Sequence, residues 1–302
     1  MGHLCVYHSV DLDGWVSAAI VKGIHPDVVL VGYSYGDPVP TIPPDQHVII
    51  CDCAFDMDVM DEIAKKSASF TWIDHHASAI KKFHAYWDEQ QVDFFWNVKL
   101  PEGDQLIGAC ELTWEYYHPD QKTPWAVELL GMYDCFRHKQ PENEYYEYFA
   151  LWFNLAAQTI CDSPDTADQF LFMNGSEVRE HMKKGNVIYD YKAMEAKQLY
   201  KKGIAVVINN KRFILFNADH FNPPSYGIDY HKDGFDGSGY FRFDGKMWHF
   251  SLTNDDGSID CSEICKAFGG GGHKGAAGFE PDFHTLQGIL EGEFSEREMF
   301  MY

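Results

Sequence analysis

Through the first hundred residues, short apolar runs alternate with amphipathic stretches of helical period. This is the pattern of an α/β domain built on a mainly parallel sheet. The runs predict strands over His3–His8, Val28–Tyr35, His47–Cys51, Ser69–Ile73 and Val92–Trp96, with helices over Asp13–Gly23, Met57–Lys66 and from Ser78 onward. From Ile107 to about Asn174 the pattern is mostly helical. Ser176–Lys202 is polar, free of Pro and rich in Lys, Glu and Tyr, which predicts a long connecting helix containing the domain boundary. Past Gly203 the pattern changes. Ile204–Ile208, Phe213–Phe216, Gly239–Phe243 and Met247–Thr253 read as strands separated by Asn-Asn, Asp-Gly and similar turns, and Ser262–Phe268 as a short helix running into four glycines. The expected fold class is therefore α/β, with a domain over residues 1–175, a helical linker over 176–202, and a smaller α/β domain with a mixed sheet over 203–302.

Length and composition narrow the classes. A chain of 302 residues buries roughly 75% of its unfolded surface and commonly divides in two. With 45% hydrophobic and 16% aromatic residues it is too apolar for disorder. Its 24 Lys and Arg face 46 Asp and Glu, a net charge of −22. That argues against a face gripping long duplex nucleic acid, which needs Lys and Arg on the phosphates, but permits a small anion held by metal ions. The eight cysteines are scattered, and neither Cys51/Cys53 nor Cys261/Cys265 has C-x-x-C zinc spacing. They read as reduced core residues. Met1–Tyr7 has no basic segment leading into a long apolar run, and no stretch approaches about 18 uninterrupted apolar residues. A cytoplasmic protein without a membrane partner is expected; a homodimer stays open.

Ligands of open α/β sheets bind beyond the carboxyl ends of the strands, so strand ends are where chemistry is sought. The first predicted strand ends in His8, with Asp11 and Asp13 close behind; the third ends at Asp52; the fourth ends in Asp74-His75-His76. An Asp after a strand is more often a helix cap than a ligand, and a His pair alone is unremarkable. Three strands delivering Asp and His to one edge is a different matter, because imidazole and carboxylate together suit Mn²⁺, Fe²⁺, Co²⁺ or Mg²⁺.

The segment His8-Ser9-Val10-Asp11-Leu12-Asp13-Gly14, the strand-terminal Asp52, Asp74-His75-His76, and Asp134 after Leu129-Leu130-Gly131-Met132-Tyr133 resemble the four motifs of the DHH phosphoesterase superfamily. Phe268-Gly269-Gly270-Gly271-Gly272-His273-Lys274-Gly275-Ala276-Ala277-Gly278-Phe279 resembles the glycine-histidine motif of that superfamily's associated C-terminal domain. The two signals span His8 to Phe279. The resemblance implies a catalytic first domain, a substrate-binding second domain and a site in the cleft between them. It implies two divalent metal ions, usually Mn²⁺, with His8 and Asp11 on one, Asp13, His75 and Asp134 on the other, and Asp52 bridging. Asp74 is expected to orient His75, and His76 to face the substrate. Asp120 and Asp162 also lie in helical country, and only the apolar run before Asp134 favours it.

His273-Lys274 and Ala276-Ala277-Gly278 set the glycine run apart from an ordinary flexible loop. Absent side chains let backbone N–H groups approach an anion, so His273 and the amides near Gly271 and Gly272, with Lys274, are expected to hold a substrate phosphate. Oligonucleotide-degrading relatives of the nanoRNase type often carry Ser-Leu-Arg-Ser ahead of this motif, whereas this chain has Ser251-Leu252-Thr253-Asn254. Arg242 or Lys274 would then substitute. Trp15 is read as a core or helix-face residue ahead of a base-stacking one. The expected activity is metal-dependent phosphodiester hydrolysis of short oligonucleotides or dinucleotides to mononucleotides. The alternatives are a phosphomonoesterase on 3′-phosphoadenosine 5′-phosphate, a pyrophosphatase or polyphosphatase, and a non-enzymatic nucleotide-binding regulator.

Overall fold

A computed structural model of the chain describes residues 2–90 and 96–292. It divides into two compact units, residues 1–189 and 190–302. The division falls inside one long helix.

In the first unit the order is β1 (His3–His8), α1 (Leu12–Ile24), β2 (Val29–Tyr33), β3 (His47–Cys51), α2 (Met57–Lys66), β4 (Ser69–Ile73), α3 (Ala77–Gln90) and β5 (Trp96–Lys99). The five strands form one parallel sheet in the order β2-β1-β3-β4-β5. The strand predicted over Val92–Trp96 is met at Trp96, and residues 92–95 lie outside the described residues, as do residues 293–302. The central strands are continuous apolar runs because both faces are covered. Leu4, Val6, Val48, Ile50, Phe70 and Trp72 pack on Met57, Met60 and Phe83 of α2 and α3. Their neighbours Cys5, Ile49, Cys51 and Ile73 face Val21 and Leu112 on the other side. That second side is carried by α1, α4 (Ala109–Tyr117), α5 (Trp125–Asp134), α6 (Glu147–Ala157) and two single turns, α7 (Pro164–Ala167) and α8 (Gln169–Phe172). These pack around Val16, Ile20, Leu130 and Phe153. Trp15 lies on the edge of this core with its indole N–H on the Ser9 carbonyl at 2.9 Å, so it is a helix-face residue.

Helix α9 (Gly175–Tyr200) leads into β6 (Ile204–Ile208), β7 (Lys211–Asn217), β8 (Gly237–Phe243), β9 (Trp248–Thr253), α10 (Cys261–Lys266), β10 (Gly271–His273), β11 (Ala276–Phe279) and α11 (Phe283–Glu291). The second sheet is mixed, ordered β10-β11-β9-β8-β7-β6, with β7 and β8 the parallel pair. The Asn209-Asn210 turn of β6 and β7 has positive φ at both residues, the geometry a two-residue hairpin needs and Asn tolerates. One face of this sheet is closed by α10 and α11 over Phe213, Leu215, Phe250 and Leu252.

Candidate metal centre

The first sheet reverses its winding direction between β1 and β3, and an open sheet has its binding crevice at such a switch point. His8 closes β1, Asp52 follows β3, and Asp74, His75 and His76 follow β4. The motif residues thus converge because parallel pairing stacks three carboxyl ends side by side.

Each side chain is fixed by local structure. Asp11 N-caps α1, its Oδ1 accepting the Gly14 N–H at 2.9 Å, while Oδ2 lies 2.7 Å from His8 Nδ1. A side chain at Gly14 is excluded, since a Cβ there would stand 2.0 Å from the His8 carbonyl oxygen. Asp13 is buried, and its carboxylate accepts N–H groups from Ala109 (2.7 Å) and Cys110 (2.9 Å) at the start of α4, where the helix dipole favours negative charge. Asp52 is buried with φ +60°, a left-handed conformation uncommon for a residue with a side chain and found at functional positions. Asp134 ends α5 and reaches His75 Nε2 at 3.3 Å. Asp120 is exposed in the turn after α4, and Asp162 is engaged by Ser163 and Thr166.

Three overlapping groups of three residues could each hold a cation, with ligand atoms within 4.8 Å of one another in each: His8, Asp11 and Asp52; Asp13, His75 and Asp134; and Asp52, His75 and His76, which shares its first two members with the others. They meet where His75 Nε2 lies 3.3 Å from Asp52 Oδ1. Among the described residues both of these atoms are buried without an aligned hydrogen-bond partner. Such atoms are costly to leave unpaired, and a cation between them removes the cost. The donor set, carboxylate oxygen with imidazole nitrogen, fits a hard to borderline divalent metal.

One expected role is corrected. Asp74 does not pair with the His75 ring. Its Oδ1 accepts the N–H groups of His75 (2.7 Å) and His76 (3.1 Å) and lies 2.7 Å from His76 Nδ1. The carboxylate folds into the turn after β4, so it reaches the ring two residues on; the His75 ring projects to Asp52, Asp13 and Asp134 instead.

The electrostatics follow from burial. Burial, then the nearby Asp52, raises the Asp13 carboxyl, and burial, then Asp13, raises Asp134 to about 7. Burial also raises Asp52. The hydrogen bond to Asp11 leads in raising His8 to about 10. For His75, burial pulls downward but Asp52, Asp13 and Asp134 outweigh it and bring the ring to about 10. Without a cation, protons are what neutralises this cluster.

Two further residues, Glu111 and Arg137, went unnoticed in the sequence. Buried Glu111 accepts the Gly108 N–H at 3.1 Å and pairs with Arg137 at 2.7 Å. The pair ties the end of α5, which carries Asp134, to the start of α4, whose amides hold Asp13. Helices α4 and α5 approach so closely here that a Cβ on Gly108 would stand 2.5 Å from Gly131 Cα. The sequence carried little signal for them: Glu111 makes only the reach-back half of a capping box, and Gly108 has no side chain for the other half.

The residues expected to hold phosphate lie in the second unit. Gly271, Gly272 and His273 are strand β10, paired with β11 at the sheet edge, and His273 and Lys274 are exposed. Gly270 and Gly272 have a packing reason, since a Cβ would stand 2.2 Å from the Gly278 carbonyl oxygen and 2.6 Å from Ala277 Cα respectively, whereas Gly271 has open space. Arg242 lies on β8, where its Nε contacts Asp219 at 3.0 Å. It lines a cavity of about 560 Å³ together with Ser251, Gly269 and Gly270, whereas Gly271 to Lys274 are not among that cavity's walls. Thr253, at the position of the missing Arg, bonds Ser238 across the strands at 2.9 Å.

No family model matches the chain. An uncharacterized protein of Acanthamoeba polyphaga mimivirus is 25% identical over 274 residues, 82% of this chain and 56% of that protein, so the chain spans about half the length of this curated relative. Among solved structures, the pGpG-specific phosphodiesterase of Vibrio cholerae matches 96% of this chain and 97% of its own at 14% identity and TM-score 0.55. A DHH domain from a member of the s1p family of ribosomal proteins matches 96% of this chain and 85% of its own at 16% identity and TM-score 0.56. The chain has the DHH-domain fold. Both units take part in these matches, and the DHH tripeptide itself is Asp74-His75-His76 at the end of β4.

Proposed function

We propose that this DHH-fold chain is a two-metal phosphoesterase that hydrolyses phosphodiester bonds in short oligonucleotides or dinucleotides, releasing mononucleotides. The observation that carries the reading is the set of three-residue groups joined through Asp52 and His75, whose Oδ1 and Nε2 are buried without an aligned hydrogen-bond partner among the described residues. Asp11, Asp13, Asp52 and Asp134 bring four negative charges, enough to offset two dications, and Mn²⁺ is the favoured ion. Two cations held by these residues would supply a hydroxide at neutral pH and a shield for the phosphoryl oxygens. Asp74 accepts the Nδ1–H of His76 and favours the imidazolium form of the ring, which in that form can give its Nε2 proton to the departing oxygen and is left neutral. Arg242, His273, Lys274 and the amides of Gly271 and Gly272 are assigned to a substrate phosphate. The net charge of −22 favours short substrates, because long strands call for a basic groove. Eight free cysteines accord with a cytoplasmic setting, and no helix among the described residues is long and apolar enough to cross a membrane.

The test is a panel of substrates with purified protein and Mn²⁺: 5′-phosphorylated dinucleotides, cyclic dinucleotides, 3′-phosphoadenosine 5′-phosphate, longer single strands and pyrophosphate. Dinucleotides are expected to turn over fastest. Equal or faster digestion of long strands contradicts the short-substrate reading, and a preference for 3′-phosphoadenosine 5′-phosphate replaces it with a monoesterase.

A further inference from the structure

Beside the metal centre the first unit holds a cavity of about 430 Å³ that opens at His76, within the range of about 300–1,000 Å³ typical of small-molecule sites. Its walls are mostly rings and apolar side chains. Tyr33, Phe55 and Met57 are buried parts of the sheet-and-helix core, whereas Tyr35 and Val39 are 49% and 43% exposed and close the outer side. A concave, mostly apolar lining with a few polar groups at its rim is the usual make-up of a small-molecule site. The Tyr35 ring is held in place, its hydroxyl accepting the Ala54 N–H at 3.2 Å. It stands 5.5 Å from the His8 ring and 6.1 Å from the His76 ring, centre to centre. Tyr35 is thus a partition with ligating and substrate-facing histidines beside it and the cavity among its neighbours. At the rim, Asp56 and Lys82 lie 3.7 Å apart and offer a hydrogen-bond acceptor and donor.

We propose that this cavity seats one nucleobase of the substrate whose phosphate is processed at the metal centre. The proposal rests on the phosphoesterase reading and adds the base as the recognised group. A planar ring matches the aromatic lining, and His76 joins the cavity to the centre, so a base seated here is connected to its phosphate past that ring. The Asp56 and Lys82 pair meets the polar edge of a base, while an inorganic polyphosphate would leave the rings unused. Lys82 is the one lysine or arginine in the lining, and its Asp56 partner offsets its charge. Recognition here therefore comes from stacking, which tolerates different bases.

The experiment compares, with Mn²⁺, a 5′-phosphorylated dinucleotide and its two abasic forms, each lacking one base. For the wild type, one abasic form is expected to show a KM about tenfold above the intact dinucleotide, the worth of a stacked base. Val39→Glu sets a carboxylate against the base without touching a ligating residue. It is expected to bring the intact dinucleotide to that raised KM with kcat kept, and to change the form already lacking that base by less than about twofold. Equal KM on all three substrates, or a Val39→Glu loss that falls equally on each, overturns the base site. If the wild type hydrolyses none of them, the phosphoesterase reading fails, and calorimetric binding of adenosine 5′-monophosphate then decides the cavity separately. Saturable binding weakened about tenfold by Val39→Glu upholds it; absent binding, or binding that the substitution leaves unchanged, overturns it.

Discussion

The carboxyl edge of the parallel sheet and the glycine edge of the mixed sheet both carry motif residues, yet they treat polar groups in opposite ways. At the first, Asp52 Oδ1, Asp74 Oδ2 and His75 Nε2 are buried without aligned partners. At the second, His273 and Lys274 stand in solvent, Arg242 has Asp219, and Thr253 has Ser238. Burying unsatisfied charge is expensive unless a ligand offsets it, so the first region is preorganised for an ion. In the second, Gly270 and Gly272 first serve close strand packing. Motif resemblance gave the two regions similar standing; the burial of their polar atoms separates them.

The strongest way to break this contrast is to remove a shared ligand. Asp52→Asn or His75→Ala is expected to lower Mn²⁺-dependent kcat by at least about 10²-fold, beyond the usual effect of residues that only orient ligands; retained turnover in both variants removes the centre. Next is the clamp behind it. Arg137→Ala leaves Glu111 buried without its partner, and is expected to weaken Mn²⁺ binding by about 10–100-fold in calorimetry. Arg137→Lys should recover part of that loss.

On the glycine side, Gly270→Ala is expected to destabilise the second unit by about 1–3 kcal/mol through overpacking against the Gly278 carbonyl. Denaturant unfolding would register this while Mn²⁺ affinity stays unchanged. A change in Mn²⁺ affinity would erase the distinction between the regions.

A smaller effect comes from pH. An unfolded Asp titrates near about 4, whereas Asp134 in the fold is raised to about 7 and Asp13 is raised likewise, burial being the first cause for each. The preference of the fold for their protonated forms is fully present below about pH 4 and is lost as the pH rises through the raised values. A cation that displaces those protons restores stability. Mn²⁺ is therefore expected to raise Tm more at pH 8 than at pH 5, and an equal or reversed increment would mean that these carboxylates do not bind it. The smallest change is expected for Arg242→Ala, an increase in KM of a few-fold with kcat kept, since the Arg is shared with Asp219 and partly exposed.

Much of this fold was legible because hydrophobic period is a local property. Strands β1, β3 and β4 and helix α2 fall on the predicted residues, since each is a bounded apolar or amphipathic run. Strands β10 and β11 and helix α11 were missed. The first two are built from Gly and Ala, which carry no strand period, and their pairing is decided by β9 alongside. The candidate ligands His8, Asp52 and His75 were legible as residue types at strand ends, whereas Asp134, at a helix end, was favoured over Asp120 and Asp162 by only a short apolar run.

By itself the sequence determined the alternation of strands and helices, the two-part organisation and the set of His and Asp residues, because these depend on neighbours along the chain. Only the tertiary structure decided that Asp74 turns to His76, that α4 amides hold Asp13, that Glu111 and Arg137 clamp α4 to α5, and that Tyr35 borders a cavity beside the centre. Each of those contacts joins atoms whose distance depends on a backbone turn or on how helices cross. No periodicity along the chain carries that information.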